Sequence, residues 1–194
     1  MNAAVALLLV STLSASGAGG EHLLSGARHF REGRYGDALV EFRVAEELGA
    51  DGARAYAAAS LVNLQRFDEA LETFDGVPRG QDPLLDFYRA LACFGAHLYA
   101  CADEILATIG DRGGPKISAE VADLRREIAA QRARSPSDDA IAWYAKRCAD
   151  LKEQKRGALA APYCREGASL DARRAELRKT SAAASVVPAR GERP

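Results

Sequence analysis

The chain has 194 residues, 48% of them hydrophobic, 7% aromatic and 27% charged, with a formal net charge of −1. That much apolar material excludes an intrinsically disordered chain, and Ala, Leu, Arg and Glu with few aromatics favour helix, because these side chains lose little freedom in helical geometry. The near-zero charge hides an asymmetry: residues 1–111 hold 8 Lys+Arg against 16 Asp+Glu, and residues 112–194 hold 18 against 11, so the halves should attract each other or meet different partners.

The chain opens on an apolar run, Ala3 to Leu13, followed by Ser14-Ala15-Ser16-Gly17-Ala18. This pattern predicts a secretory signal peptide over residues 1–18, cleaved after Ala18 or after Ala15, although no Lys or Arg precedes the run. The run is shorter than the ~20 apolar residues that span a bilayer, so no transmembrane segment is expected. The mature protein is expected to be periplasmic or secreted.

A repeat follows. Gly33, Tyr35, Ala38, Phe42 and Ala45 find counterparts in Phe67, Ala70, Phe74 and Val77, and again in Tyr99, Ala102, Leu106 and Ile109. A small residue recurs upstream in step, at Gly26, Ala58 and Ala90, and every set is spaced by 32 residues. Tyr35 and Phe42, seven apart, share a helix face, while Ala38 and Ala45 let a second helix approach. Each unit therefore reads as a helical hairpin. In the first, Leu23 to Arg31 is the leading helix, Gly33 the turn, Tyr35 to Leu48 the returning helix and Gly49 its left-handed cap.

These residues resemble the tetratricopeptide repeat family, whose signature is a small residue in the first helix, an aromatic opening the second, and an Ala-x-x-x-Phe-x-x-Ala series. The second unit, with Asn63-Leu64-Gln65-Arg66-Phe67-Asp68-Glu69-Ala70-Leu71, is the closest match. Three departures stand out: the period is 32 where the family usually has 34, no aromatic stands at His22, Arg54 or Asp86, and Gln65 and His97 replace the usual turn glycine. The resemblance implies an all-α helical-hairpin solenoid of three repeats (19–50, 51–82, 83–116). It further implies a partner peptide or helix held in a groove lined by the first helices, at Leu23, Phe30 and Arg31, then Tyr56 and Asn63, then Phe87, Tyr88, Leu91 and Phe94.

Gly113-Gly114-Pro115 breaks the pattern, and Ser118, Val121, Leu124 and Ile128 begin an amphipathic helix suited to capping a solenoid. Ser135-Pro136-Ser137-Asp138 stops it and caps a helix through Trp143, Tyr144, Cys148 and Leu151. Gly157 or Pro162 should turn the chain into a last short helix near Cys164 and Leu170. Residues 117–178 thus form C-terminal capping helices, which could themselves fill the groove through Trp143, Tyr144 and Leu151; residues 179–194 read as a disordered tail.

Four cysteines in an exported chain favour disulfides. Cys93 and Cys101 stand symmetrically about His97, and Cys148 and Cys164 about Arg156. Residues equidistant from a hairpin turn face each other, so the expected pairs are Cys93–Cys101 and Cys148–Cys164. A zinc site would need closely spaced Cys pairs, which are lacking. His22, His29 and His97 are scattered, and the paired carboxylates Asp68-Glu69 and Asp103-Glu104 open helices, where they complement the helix dipole. With no phosphate loop, nucleophile elbow or His pair, the chain is expected to be non-catalytic, without cofactor, metal or nucleic acid. It reads as a protein-binding adaptor or scaffold of an envelope complex. The alternative is a surface-associating module whose basic stretch Lys146-Arg147, Lys152, Lys155 and Arg156 meets an anionic polymer or membrane surface.

Overall fold

The computed structural model describes the backbone of residues 17–184 and the side chains of residues 17–178. Among these residues the fold is all-helical, without a strand. Most of the expected signal segment lies outside the described residues. The chain forms two compact units, Met1–Ala129 and Ala130–Pro194.

In the first unit the helices are α1 (Ala18–Arg31), α2 (Tyr35–Glu47), α3 (Ala53–Asn63), α4 (Phe67–Phe74), α5 (Pro83–Gly95), α6 (Tyr99–Ile109) and, after a short 3-10 turn at Gly110–Gly113, most of α7 (Gly114–Ala133), whose last four residues belong to the second unit. Each helix from α1 to α5 packs on the next, and α3 also meets α5. The three hairpins share one turn: Gly33, Gln65 and His97 all adopt positive φ, at 76°, 59° and 62°. The following amide then reaches back five residues, Arg34 to His29, Arg66 to Leu61 and Leu98 to Cys93, at 2.8–2.9 Å. That bond satisfies carbonyls a helix end would otherwise leave unpaired.

Side-chain size sets the packing within and between hairpins. A Cβ on Gly26 would stand 2.7 Å from the Phe42 ring, so the small residue in the first helix exists to seat the aromatic of the second. Gly95 seats Phe67 of the preceding hairpin in the same way. Phe42 in turn lies 5.5 Å from Tyr56 of the next hairpin, centroid to centroid. The core follows this grid: Phe30, Ala38, Phe42, Ala45, Ala58, Leu61, Ala70, Ala90, Ala102, Leu106 and Ile109 are all buried.

One repeat position departs from expectation. The helix α4 is only eight residues long, and Val77, the counterpart of Ala45 and Ile109, falls in the loop after it. Pro78 biases its predecessor away from helical backbone, and Gly76 and Gly80 take positive φ, which ends the helix early. The predicted break at Gly113-Gly114-Pro115 is present, but α7 begins at Gly114 and not at Ser118, since proline suits a first helical turn. Its buried stripe is Ile117, Val121, Leu124 and Ile128, and Arg125 on its outer side donates to Asp103 of α6 at 3.2 Å.

In the second unit α8 (Asp138–Glu153) and α9 (Gly157–Ala184) form a further hairpin. Ser137 caps α8 by accepting from the Ala140 amide at 3.1 Å, as its spelling predicts. The turn comes at Lys155, with φ 58°, and the Arg156 amide reaches Leu151 at 2.9 Å. This is the turn of the first three hairpins. In that register Cys148, Ala160, Cys164 and Gly167 take the places of Gly26, Ala38, Phe42 and Ala45, so a fourth hairpin is built on the same plan.

The last helix is therefore not short, and Pro162 lies inside it instead of turning the chain. Near the start of α9 the proline removes a single intrahelical bond, and the Ala-, Arg- and Glu-rich sequence beyond holds one glycine, Gly167, and no further proline. Helical backbone continues to Ala184, into the segment expected to be disordered; residues 185–194 lie outside the described residues. Arg173 donates to the carbonyls of Arg132 and Arg134 at the end of α7, and Arg174 pairs with Asp138.

Candidate functional site

The expected groove residues sit on α1, α3 and α5, and they sort into two groups. Leu23, Phe30, Phe87 and Tyr88 are buried, at 4% exposure or less. Tyr56, Asn63, Leu91 and Phe94 are half-buried, and Arg31 at the end of α1 is exposed. The first group packs against the chain itself: Phe30 meets Tyr35 edge-on at 5.2 Å and Tyr88 at 5.9 Å, so α1 and α5 touch across α3. Small residues allow this approach, because α3 carries Ala55, Ala57, Ala58 and Ala59, all buried. Of the residues expected to line an apolar channel, Arg31, Tyr56, Asn63, Leu91 and Phe94 are the ones that keep accessible surface.

Tyr88 belongs to the buried group. Burial pushes its hydroxyl up to about 12, a hydrogen bond with Asn63 pulling slightly back and Tyr35 adding to the rise. Tyr56 is raised in the same direction, by burial first and then by Asp82. Neither phenol is poised to act as an acid or base near neutral pH.

Both cysteine pairs form as the turn symmetry predicts, Cys93–Cys101 with Cα atoms 6.0 Å apart and Cys148–Cys164 with 5.0 Å. The histidines lie in separate surroundings: His22 Nδ1 meets Glu41 at 2.6 Å, and His97 Nδ1 lies 3.1 Å from the Tyr99 hydroxyl. Among the described residues no three His, Cys, Asp or Glu side chains group as a metal site.

Family models, curated proteins and solved structures all return no match to this chain.

Two features escape a reading of the sequence. A buried ion pair joins Asp86 and Arg89 on α5 at 3.1 Å, both at most 4% exposed. Asp86 also accepts from the Gly80 amide at 2.9 Å, and Arg89 donates to the Val77 carbonyl at 2.8 Å while stacking 4.9 Å over Phe74. Burial lowers the Arg89 guanidinium, with Asp86 opposing that shift. Together the pair holds the loop between α4 and α5, and an i, i+3 spacing on a helix is too common to single it out. The second is an open cleft of about 570 Å³ lined by Arg43, Glu46, Glu47, Arg54, Ala57, Glu69, Glu72 and Thr73. Its charges are largely engaged with each other and the backbone: Arg54 donates to the Thr73 carbonyl at 2.8 Å and lies 3.9 Å from Glu46, and Arg66 holds Glu69 through two bonds.

Proposed function

We propose that this protein is a non-catalytic binding module of tetratricopeptide-repeat type, which holds a peptide or helix of a protein partner along the first-helix rim of its hairpins. What supports this reading is that the first helices of three successive hairpins, closed by one turn geometry, leave Arg31, Tyr56, Asn63, Leu91 and Phe94 wholly or partly exposed while Leu23, Phe30, Phe87 and Tyr88 are buried. Tyr and Arg beside Asn and apolar groups are the mix that anchors a partner at low entropic cost. An adaptor or scaffold role in an envelope complex follows from this reading with export. Two cysteine pairs at bonding distance fit an oxidising compartment, periplasmic or extracellular. No helix among the described residues is long and apolar enough to cross a membrane.

The basic second half supports the anionic-surface reading less well. Lys146 is engaged by Asp150 at 3.1 Å and Arg174 by Asp138, which neutralises part of the charge such a surface would need.

The test compares recovery of partners from envelope extract by the exported chain and by a Tyr56→Ala, Leu91→Ala, Phe94→Ala variant, with circular dichroism confirming that the variant folds. The proposal expects a protein held by the first and lost by the second, with little change at raised salt. Equal recovery by both, or recovery abolished by salt alone, would contradict it.

A further inference from the structure

The fourth hairpin differs from the other three in what holds its two helices together. In the first hairpin, Gly26 and Phe42 fit as small residue and ring, and the hairpin is packed on α3 as well. In the third, Cys93–Cys101 adds a covalent link to helices that also pack on α4 and α3. Within the second unit, α8 packs on α9, and the Gly26 and Phe42 positions are taken by Cys148 and Cys164. A bond has replaced the knob and its socket. The rest of the core is small: Tyr144, Leu151, Leu159, Ala160 and Tyr163 are buried, and a Cβ added to Gly167 would stand 3.0 Å from the Tyr144 Cβ. One charged side chain, Glu166, is buried among them at 2% exposure. The paired stretch from Asp138 to Arg174 is shorter than the about 40 residues below which a chain usually needs a staple.

We propose that the second unit is a thiol-dependent module: Cys148–Cys164 is what keeps α8 and α9 folded on each other, and its reduction opens them while the first unit stays intact. This does not rest on the partner-binding reading. Cys148 and Cys164 are both partly exposed, so an attacking thiolate can reach either sulfur, whereas in the other pair Cys93 is fully buried and Cys101 alone is partly exposed. In the reaction a dithiol reductant attacks one sulfur, the Cys148–Cys164 bond breaks, and the reductant closes to its own cyclic disulfide. Its two electrons and two protons are left on the Cys148 and Cys164 thiols. The bond closes a loop of 16 residues, and losing such a constraint shifts an opening equilibrium by on the order of a hundredfold.

The experiment measures amide hydrogen exchange across the full chain, oxidised and after dithiothreitol, with alkylation and mass spectrometry locating the free thiols. Two double variants accompany it, Cys148→Ala with Cys164→Ala and Cys93→Ala with Cys101→Ala. The proposal expects exchange in α8 and α9 to rise about a hundredfold on reduction and in the first variant, while α3 and α5 keep their protection and the second variant leaves α8 and α9 protected. Unchanged protection of α8 and α9 with Cys148 and Cys164 alkylated would overturn it. So would resistance of that bond to reduction in the folded chain, or loss of protection in both units together.

Discussion

Gln65, His97 and Lys155 hold the left-handed turn conformation that Gly33 holds without cost, and for an L-residue that geometry is unfavourable by about 1–2 kcal/mol. Glycine relieves this but adds freedom to the unfolded chain, worth about 0.5–1 kcal/mol the other way. Gln65→Gly should therefore stabilise the first unit by up to about 1 kcal/mol, seen as a higher urea midpoint at constant slope. Gly26 predicts the opposite sign: Gly26→Ala places a carbon 2.7 Å from the Phe42 ring and should cost about 1–3 kcal/mol in the same measurement. Tyr88 adds a pH dependence. Its hydroxyl titrates at about 12 when folded and near the ordinary 10 when unfolded, so the folded state favours the protonated form. Stability from this group is complete below pH 10 and falls between pH 10 and 12, by about 2–3 kcal/mol in all. Tyr88→Phe should flatten that alkaline slope in denaturant titrations, and an unchanged slope would assign it elsewhere.

At the scale of elements, the loop between α4 and α5 depends on a charge taken out of water. Asp86→Ala leaves Arg89 buried with backbone carbonyls but no carboxylate against it and frees the Gly80 amide, so it should destabilise by about 3–5 kcal/mol and expose residues 75–82 to proteolysis first. The helices themselves were legible: small-aromatic spacing at 32 residues placed the first three hairpins, and Ser137 and Gly49 marked helix ends where the backbone has them. The fourth hairpin was not legible as a copy. The helix α7 separates it from the third, so the period is lost, and Gly157 stands where Tyr35, Phe67 and Tyr99 carry the aromatic signal. Its register shows only once the Lys155 turn is seen beside Gly33, Gln65 and His97. Val77 was misplaced for a local reason, the bias of Pro78 outweighing the repeat. The pairing of Asp86 with Arg89 is not legible, because charges three apart on a helix are ordinarily solvated, and burial is a tertiary fact.

For the whole molecule, the groove is where sequence and structure diverge most. The residues expected to line the groove all lie on α1, α3 and α5, and which of them face solvent depends on how closely α1 and α5 approach. The alanines of α3 decide that distance. Phe30 and Tyr88 meet, the floor closes, and the accessible chemistry shrinks to Arg31, Tyr56, Asn63, Leu91 and Phe94. Binding should then tolerate changes at Val40, an exposed residue of α2 outside that rim, and be sensitive to changes along it. The most direct test is photo-crosslinking in envelope preparations, with a photoreactive side chain at Asn63 or at Val40 of the full chain. The account predicts a discrete protein adduct from position 63, absent from position 40 and lost when Leu91→Ala and Phe94→Ala are added. Adducts at position 40 alone, or equal labelling at both, would contradict the rim as the working surface.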